Sequence, residues 1–179
     1  MFNQEIYLRA INFAAHYHGE QKTPKGLPYL THLSSVAMEV IWACNESSLK
    51  DEDTDIAVSC ALLHDVLEDT SCIIDDIFKE FTEEIALGVE ALSKDKRLAS
   101  KKEQMQDSLN KLLAQPYNVQ MVKLADRITN LQKPPSSWTK EKAALYLKES
   151  KIIFSCLKNS NIYLAKRLEE KMLKYEEYI

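Results

Sequence analysis

The sequence predicts an all-α fold, a helical bundle that forms a single compact domain. Apolar residues recur every three to four positions along most of the chain, which is the period of an α-helix with one buried face. Only 3 glycines and 5 prolines occur among the 179 residues, so few sites exist for tight turns between short strands. No segment shows the alternation of apolar and polar residues that indicates a strand. A chain of this length normally forms one domain with a substantial core.

The first part of the chain is expected to contain two amphipathic helices joined by a loop. The apolar positions of the first helix are Ile6, Ala10, Phe13 and Ala14, and those of the second are Leu33, Val36, Ala37, Val40 and Ile41. The segment between them, GEQKTPKGLPYLT, contains two glycines and two prolines. These residues interrupt helices, so residues 19–31 are predicted to form a loop.

The next helix is expected to begin in the acidic run DEDTD, because carboxylates stabilise a helix N-terminus. We expect it to continue through IAVSCALLHDVLED as far as residue 69. The same apolar spacing predicts further helices in IDDIFKEF, EEIALGVEAL, KKEQMQDSLNKLLA and NVQMVKLADRITNLQ. The segment PPSSW then breaks the pattern, and residues 139–179 are predicted to form a helical hairpin.

The composition excludes several classes of protein. It is 45% hydrophobic and 28% charged, as in a soluble globular protein, and the formal net charge of -4 argues against general nucleic-acid binding. No stretch approaches the roughly 18 apolar residues of a membrane span, and the N-terminus lacks a signal-peptide pattern. The 4 cysteines form no C-x-x-C pair and are interpreted as buried thiols in a reducing compartment. We therefore expect a cytoplasmic protein without membrane or nucleic-acid partners. The net negative charge still allows a small anionic ligand, because a pocket needs only local positive charge.

Four ionisable residues stand close together within an apolar segment. In CALLHDVLEDT these are His64, Asp65, Glu68 and Asp69. A buried unpaired carboxylate costs several kcal/mol, so such groups must be paired, hydrogen-bonded or bound to a metal. On one continuous helix, residues four apart lie within about 40° of each other. The segment is therefore expected to present a compact polar window in an apolar helix.

Two further polar residues occur in comparable positions. Asp126 lies within MVKLADRIT, and His32 follows GLPYLT at the start of a helix. Taken alone, His32 is more simply a capping or core histidine, and Asp126 an ordinary ion pair with Lys123 or Arg127. Together with His64 and Asp65, however, they form a set of two imidazoles and two carboxylates on three apolar helices. That set suits one divalent metal ion such as Mn²⁺, Fe²⁺ or Zn²⁺.

The order of the segments GLPYLTHLSSVA, ALLHDVLEDT and VKLADRITNL resembles that of the HD-domain hydrolases. More narrowly, it is similar to the small stand-alone (p)ppGpp 3′-pyrophosphohydrolases, related to the hydrolase half of the Rel/Spo enzymes of the stringent response. The resemblance covers about residues 8–150. It implies one divalent metal, commonly Mn²⁺, bound by the residues that match the motif: His32, His64, Asp65 and Asp126. It also implies that Glu68 and Asp69 act on the attacking water and the phosphate.

The same resemblance implies contacts with a nucleotide. Asn130 matches a residue that contacts the sugar region, and Lys94 lies where the family meets phosphate. Tyr146 resembles a substrate-side tyrosine, although a core or surface aromatic residue explains it equally well.

One loop departs from the family pattern. The family commonly has H-x-x-Q-x-R-K in this loop, with the arginine against the guanine base and the lysine near phosphate. Here Thr23 and Pro24 stand at those two positions. Lys22 and Lys25 flank them and are candidates for the phosphate contact. Neither is planar, so neither stacks on a purine as a guanidinium does. The chemistry is thus expected to be retained, with altered recognition of the base.

Three functions are compatible with the sequence. The first is a metal-dependent phosphohydrolase that removes the 3′-pyrophosphate of guanosine tetra- or pentaphosphate. The second is an HD phosphohydrolase that acts on another nucleotide or phosphoester. The third is a non-catalytic HD module that binds a metal or nucleotide, against which the retention of Glu68 and Asp69 argues.

Overall fold

The computed structural model describes residues 3–179, and within these residues it contains ten α-helices and no strand. The helices are α1 Gln4–His18, α2 Leu30–Glu46, α3 Asp51–Leu63, α4 Val66–Asp69, α5 Ile74–Glu80, α6 Glu83–Leu92, α7 Lys101–Leu113, α8 Tyr117–Asn130, α9 Lys140–Leu157 and α10 Ile162–Tyr175. A 3₁₀ turn, Glu176–Tyr178, follows α10. The predicted all-α fold is confirmed.

Helices α2, α3 and α8 form the centre of the bundle. Helix α3 packs against α1, α2 and α8, and α8 also packs against α2 and α10. Nearly every side chain of α3 after Ile56, and of α8 between Asn118 and Ile128, is buried. A helix that is apolar on nearly all sides belongs in the interior of a domain. The candidate metal ligands lie on these central helices or directly after α3, so the packing of the core sets their positions.

The expected continuous helix over residues 51–69 is wrong, because it breaks at His64 and Asp65. Helix α3 ends at Leu63, and α4 begins at Val66. The imidazole Nδ1 of His64 lies 2.8 Å from the carbonyl oxygen of Ala61, an oxygen that a continuing helix would offer to the N–H of Asp65. Asp65 accordingly has φ -103° and ψ -4°, outside the ideal helical range. The angular spacing expected along a single helix therefore does not hold.

Polar contacts join the central helices to one another and to α10. The side-chain amide of Asn118, at the start of α8, donates to Asp53 Oδ1 at 3.2 Å, which ties it to the start of α3. Glu39 of α2 is 7% exposed, and Arg167 of α10 donates to both of its carboxylate oxygens. A buried carboxylate requires such a partner. These contacts join α8 to α3 and α10 to α2.

The four cysteines are free thiols, but only three are buried. Cys44, Cys60 and Cys72 lie in the core, whereas Cys156 is exposed. The expectation of four buried thiols is wrong for Cys156, because it lies on the solvent side of α9.

No helix among residues 3–179 is long and apolar enough to cross a membrane.

Candidate metal centre and active site

The structure brings His32, His64, Asp65 and Asp126 together where α2, the α3–α4 junction and α8 meet. His64 Nε2 lies 3.3 Å from His32 Nε2 and 3.0 Å from Asp65 Oδ2. Asp126 Oδ1 lies 3.4 Å from His32 Nε2 and 3.7 Å from His64 Nε2. The side chains are 9%, 1%, 17% and 8% exposed in chain order. Two imidazole nitrogens and two carboxylate oxygens thus converge in a largely buried space.

The carboxylates and imidazoles of this cluster perturb one another strongly. Burial alone lowers the pKa of His64, but the carboxylates of Asp65 and Asp126 outweigh burial and raise it to about 10. Burial alone raises the pKa of Asp65 and Asp126, yet the pKa of each lies well below its usual range, chiefly through His64 for Asp65 and through Lys123 for Asp126. The geometry therefore favours ionised carboxylates and a neighbouring cation.

Neighbouring polar groups hold the four side chains in place. The Tyr29 hydroxyl donates to Asp65 Oδ2 at 2.5 Å, and the Asn130 amide donates to Asp126 Oδ1 at 2.5 Å. Lys123 Nζ lies 3.4 Å from Asp126 Oδ2. The contact of His64 Nδ1 with the Ala61 carbonyl keeps a proton on Nδ1, so that Nε2 is the nitrogen that gives up its proton when a metal binds. Partners of this kind orient the ligands of protein metal sites.

The donor set fits a divalent metal ion. His32, His64 and Asp126 each offer a ligand atom, and these three atoms lie within 4.8 Å of one another. Asp65 Oδ2 adds a fourth oxygen next to both imidazoles, 3.0 Å from His64 Nε2 and 3.6 Å from His32 Nε2. A mixed set of imidazole and carboxylate ligands without thiolates suits Mn²⁺, Fe²⁺ or Zn²⁺. The cluster can therefore hold one such ion.

Glu68 and Asp69 lie on the short helix α4, which follows His64 and Asp65 in the chain. Lysines of the loop from residue 93 to residue 100 contact both side chains. The backbone N–H of Lys94 donates to Glu68 Oε2 at 3.2 Å, and Lys94 Nζ lies 3.7 Å from Glu68 Oε1. Lys96 donates to the carbonyl oxygen of Glu68 and to Asp69 Oδ1, the latter at 3.0 Å. The structure thus places the predicted phosphate-binding Lys94 against Glu68, and Lys96 against Asp69.

Two cavities flank the cluster. The first, which we call the loop cavity, has a volume of about 600 Å³ and is lined by the loop after α1, by His32 and by the segment after α8. The second, the basic cavity, has a volume of about 620 Å³ and lies between α4, α7, α8 and α9. Among the predicted substrate contacts, Lys22, Lys25 and Asn130 line the loop cavity and Lys94 lines the basic cavity, while Tyr146 lines both. Asp69 faces the loop cavity and Glu68 the basic cavity.

Comparison with known proteins assigns the chain to a family. The family model described as HD domain matches residues 10–161, which is most of the chain. The chain belongs to the HD domain family. The resemblance carried by the three sequence motifs is therefore confirmed.

Individual members of the HD domain family are also similar over much of this chain. It is 31% identical over 169 residues to the mouse guanosine-3′,5′-bis(diphosphate) 3′-pyrophosphohydrolase MESH1, and the aligned region covers 91% of this chain and 90% of that protein. It is 37% identical over 126 residues to an Aquifex aeolicus guanosine-3′,5′-bis(diphosphate) 3′-pyrophosphohydrolase, a match that covers 69% of this chain and 17% of that longer protein. A solved structure, described as a metazoan ortholog of SpoT that hydrolyses ppGpp, superposes with a TM-score of 0.82 at 26% identity and covers 100% of this chain and 99% of that one.

Sequence reasoning missed three residues at this HD-domain site. Tyr29 lies within the GLPYLT segment, but its bond to Asp65 spans 36 positions, and spacing cannot reveal such a contact. Lys96 belongs to the run SKDKRLASKK, where Lys94 alone was singled out. Arg127, interpreted as a possible partner of Asp126, instead lies with its Cζ 4.3 Å from the centre of the Tyr146 ring. The basic run itself was the available signal for Lys96.

The Tyr29 hydroxyl is expected to support metal binding through Asp65. Tyr29→Phe retains the ring, which stacks on His18 with centroids 4.7 Å apart, and removes only the donor to Asp65. Because such supporting bonds orient ligands, metal affinity should fall by about 10- to 100-fold. Titration of the chelator-treated protein with Mn²⁺ measures this change. Tyr117→Phe, at a side chain 63% exposed, is the matched control, and an unchanged affinity in Tyr29→Phe contradicts the prediction.

Proposed function

We propose that the protein is a metal-dependent phosphohydrolase that removes the 3′-pyrophosphate from guanosine tetra- or pentaphosphate or a related nucleotide. The observation that carries the proposal is the buried cluster of His32, His64, Asp65 and Asp126. The cluster lies between two cavities, and Glu68 and Asp69 follow Asp65 on helix α4. The similarity to 3′-pyrophosphohydrolases over most of the chain supports the same reaction.

The four residues of the cluster would hold the metal, which we take to be Mn²⁺. When bound, the ion activates a water and offsets the negative charge that develops on the phosphate. Tyr29 and Asn130 donate hydrogen bonds to the two carboxylates and would orient them towards the ion.

Glu68 and Asp69 would take the proton of the attacking water. The loop around Lys94 holds one oxygen of Glu68 at 3.2 Å from a backbone N–H, so the carboxylate keeps a defined orientation. The side chain of Lys96 forms an ion pair with Asp69 at 3.0 Å. A carboxylate that is placed within reach of the water can orient it and accept its proton.

The nucleoside would lie in the loop cavity. Asn130 reaches this cavity from the end of α8, and Lys22 and Lys25 line it from the loop after α1. The lysines supply positive charge for a phosphate, while Asn130 supplies an amide next to Asp126. Thr23 and Pro24 also line this cavity and offer no cation for stacking on a base. That observation keeps a second candidate open, an HD phosphohydrolase for another nucleotide or phosphoester.

A cytoplasmic location and a role in the stringent response belong to the same proposal. Support comes from three buried free thiols and from the Rel/Spo-type relatives.

The proposed reaction is tested with the purified protein, loaded with Mn²⁺ and offered a panel of nucleotides. We expect pyrophosphate release from 3′-diphosphorylated nucleotides. We expect Asp126→Asn to lose both bound metal and turnover, because it removes a ligand charge from a buried site. Asp75→Asn, on an exposed residue of α5, is the control. A wild-type protein that is fully active without metal rejects the proposal, and a loaded protein inactive on every 3′-diphosphate supports the other-phosphoester candidate.

Substitution of Glu68 separates binding from catalysis. Glu68→Gln preserves the shape of the side chain but cannot accept a proton, so turnover should fall by about 100-fold or more while metal content is retained. Elemental analysis and kcat measurements are made on the same preparations, with Glu90→Gln on an exposed face of α6 as control. Loss of metal in Glu68→Gln would make Glu68 a ligand. Turnover close to wild type would assign the proton to Asp69.

Base selectivity should be weak, since Thr23 and Pro24 replace the cationic residues of the family loop. A guanidinium stacked on a base contributes about 1 to 2 kcal/mol, which corresponds to roughly a tenfold change in affinity. We therefore expect guanine and adenine 3′-diphosphates to be cleaved with similar kcat/KM. The double substitution Thr23→Arg with Pro24→Lys should lower KM more for the guanine substrate. A strong guanine preference in the unmodified protein would show that other residues recognise the base.

A further inference from the structure

His18, the last residue of α1, is a buried histidine outside the metal centre. It is 5% exposed, and its Nδ1 lies 2.7 Å from the side-chain oxygen of Gln21. An amide oxygen only accepts hydrogen bonds, so Nδ1 carries a proton and donates. Among residues 3–179, Nε2 of His18 has no hydrogen-bond partner. Burying that nitrogen costs stability that an apolar ring would keep, which indicates a role for the Nδ1–H group.

The imidazole ring of His18 also packs on Tyr29. The two rings are stacked, with their centroids 4.7 Å apart and an angle of 21° between their planes. The hydroxyl at the far end of Tyr29 donates to Asp65 Oδ2 at 2.5 Å. A stacked partner restricts the orientation of an aromatic ring. His18 therefore acts on a candidate metal ligand through the ring of Tyr29.

The two partners of His18, Gln21 and Tyr29, form the base of the loop between α1 and α2. The backbone N–H of Tyr29 donates to the carbonyl oxygen of Gln21 at 3.0 Å. Lys22 and Pro28, the next residues inward, form an antiparallel bridge. The loop is thus a small hairpin, and His18 contacts both sides of its base, Gln21 by a hydrogen bond and Tyr29 by stacking.

The same hairpin forms one wall of the loop cavity. Lys22, Thr23, Pro24 and Lys25 all line that cavity, and Lys25 is exposed at the tip of the hairpin. The pairing at the base sets where these side chains lie. One buried histidine therefore contacts the element that forms the cavity wall and, through Tyr29, the metal centre.

We propose that His18 is a positioning residue that joins the loop cavity to the metal centre. Its ring fixes Tyr29 and thereby orients Asp65, while its Nδ1–H group fixes Gln21 and thereby the hairpin. The inference rests on the proposed function, because it takes the cluster as the metal site and the loop cavity as the place of the nucleoside. It deepens that function by naming the residue that sets the two in register.

Two substitutions separate the contacts of His18. His18→Phe keeps a ring against Tyr29 and removes the donor to Gln21. His18→Asn removes the ring and keeps an N–H close to the position of Nδ1. His16→Asn, at an exposed histidine of the same helix, is the matched control.

Metal affinity measures the contact with Tyr29. Each variant is treated with a chelator and titrated with Mn²⁺. His18→Asn should weaken Mn²⁺ binding by about fivefold, as expected for the loss of an aromatic pair, and His18→Phe and His16→Asn should change it by less than about twofold. Because the effect passes through the Tyr29 hydroxyl, His18→Asn combined with Tyr29→Phe should bind Mn²⁺ as Tyr29→Phe alone does. Losses that multiply in the double variant indicate general destabilisation and overturn the proposal.

Limited digestion with trypsin measures the contact with Gln21. Cleavage after Lys25, at the hairpin tip, is compared with cleavage after the exposed Lys158 in the turn between α9 and α10. A loop released at its base opens more often and is cut faster. Cleavage after Lys25 should be about fivefold faster in His18→Phe and in Gln21→Leu, as expected for one lost hydrogen bond, and no faster when the two are combined.

The two measurements must rank the His18 variants in opposite orders. His18→Asn should be the worse variant for Mn²⁺ affinity, and His18→Phe the worse for cleavage of the hairpin. The same order in both measurements indicates a merely structural histidine and overturns the proposal. Unchanged cleavage in Gln21→Leu, a partly exposed position whose substitution leaves the core intact, overturns it independently of how the His18 variants fold. Neither measurement involves turnover, so a Mn²⁺-loaded wild type that cleaves no nucleotide rejects the proposed reaction alone.

Discussion

Two carboxylates, Asp65 and Asp126, lie beside two imidazoles inside a helical core, and much of the structure around them compensates for that charge. The Asp126 side chain is 8% exposed, and Lys123, Asn130 and both histidines surround it. Removing one partner from such a group costs far more than the pair gains in stability. A folded core would not retain this arrangement for stability alone, since apolar side chains of similar volume would serve it better. The cluster is therefore best explained by the ion that it can bind.

The metal ligands and the residues expected to recognise the base lie in different parts of the structure. His32, His64 and Asp126 lie on or at the ends of helices that pack in the core, where close packing leaves these side chains little freedom. The loop between α1 and α2 contributes to the loop cavity but supplies no candidate ligand, and residues such as Pro24 and Lys25 are exposed. Substitutions at these exposed loop positions alter the cavity wall without disturbing the core, unlike a substitution of Tyr29, which bonds to Asp65. A change in substrate preference with an unchanged metal centre is then physically simple.

Sequence periodicity was sufficient for the helical architecture, and the joint occurrence of two histidines and two aspartates was sufficient to select the residues that meet in the core. The break at His64 could not be predicted, because it depends on a side-chain bond to the Ala61 carbonyl that competes with the helix. Apolar spacing continues across that break. Tyr29 and Arg127 were missed for another reason: their roles depend on partners far away in sequence, Asp65 and Tyr146. Local pattern carries no information about such contacts.

The charges at the centre explain why a basic cavity lies beside it. Asp65, Asp126, Glu68 and Asp69 bring four carboxylates to one region, and a divalent ion offsets only two of their charges. A polyphosphate that approaches the remaining negative charge is repelled, the more so where water is excluded. Lys94 and Lys96 reduce that charge at Glu68 and Asp69. The cavity that adjoins Glu68 carries further positive charge, since Arg127, Lys101 and Lys142 line it and have no ion pair with a carboxylate among residues 3–179. Positive charge beside the carboxylates thus lowers the repulsion that an anionic substrate would meet at the centre.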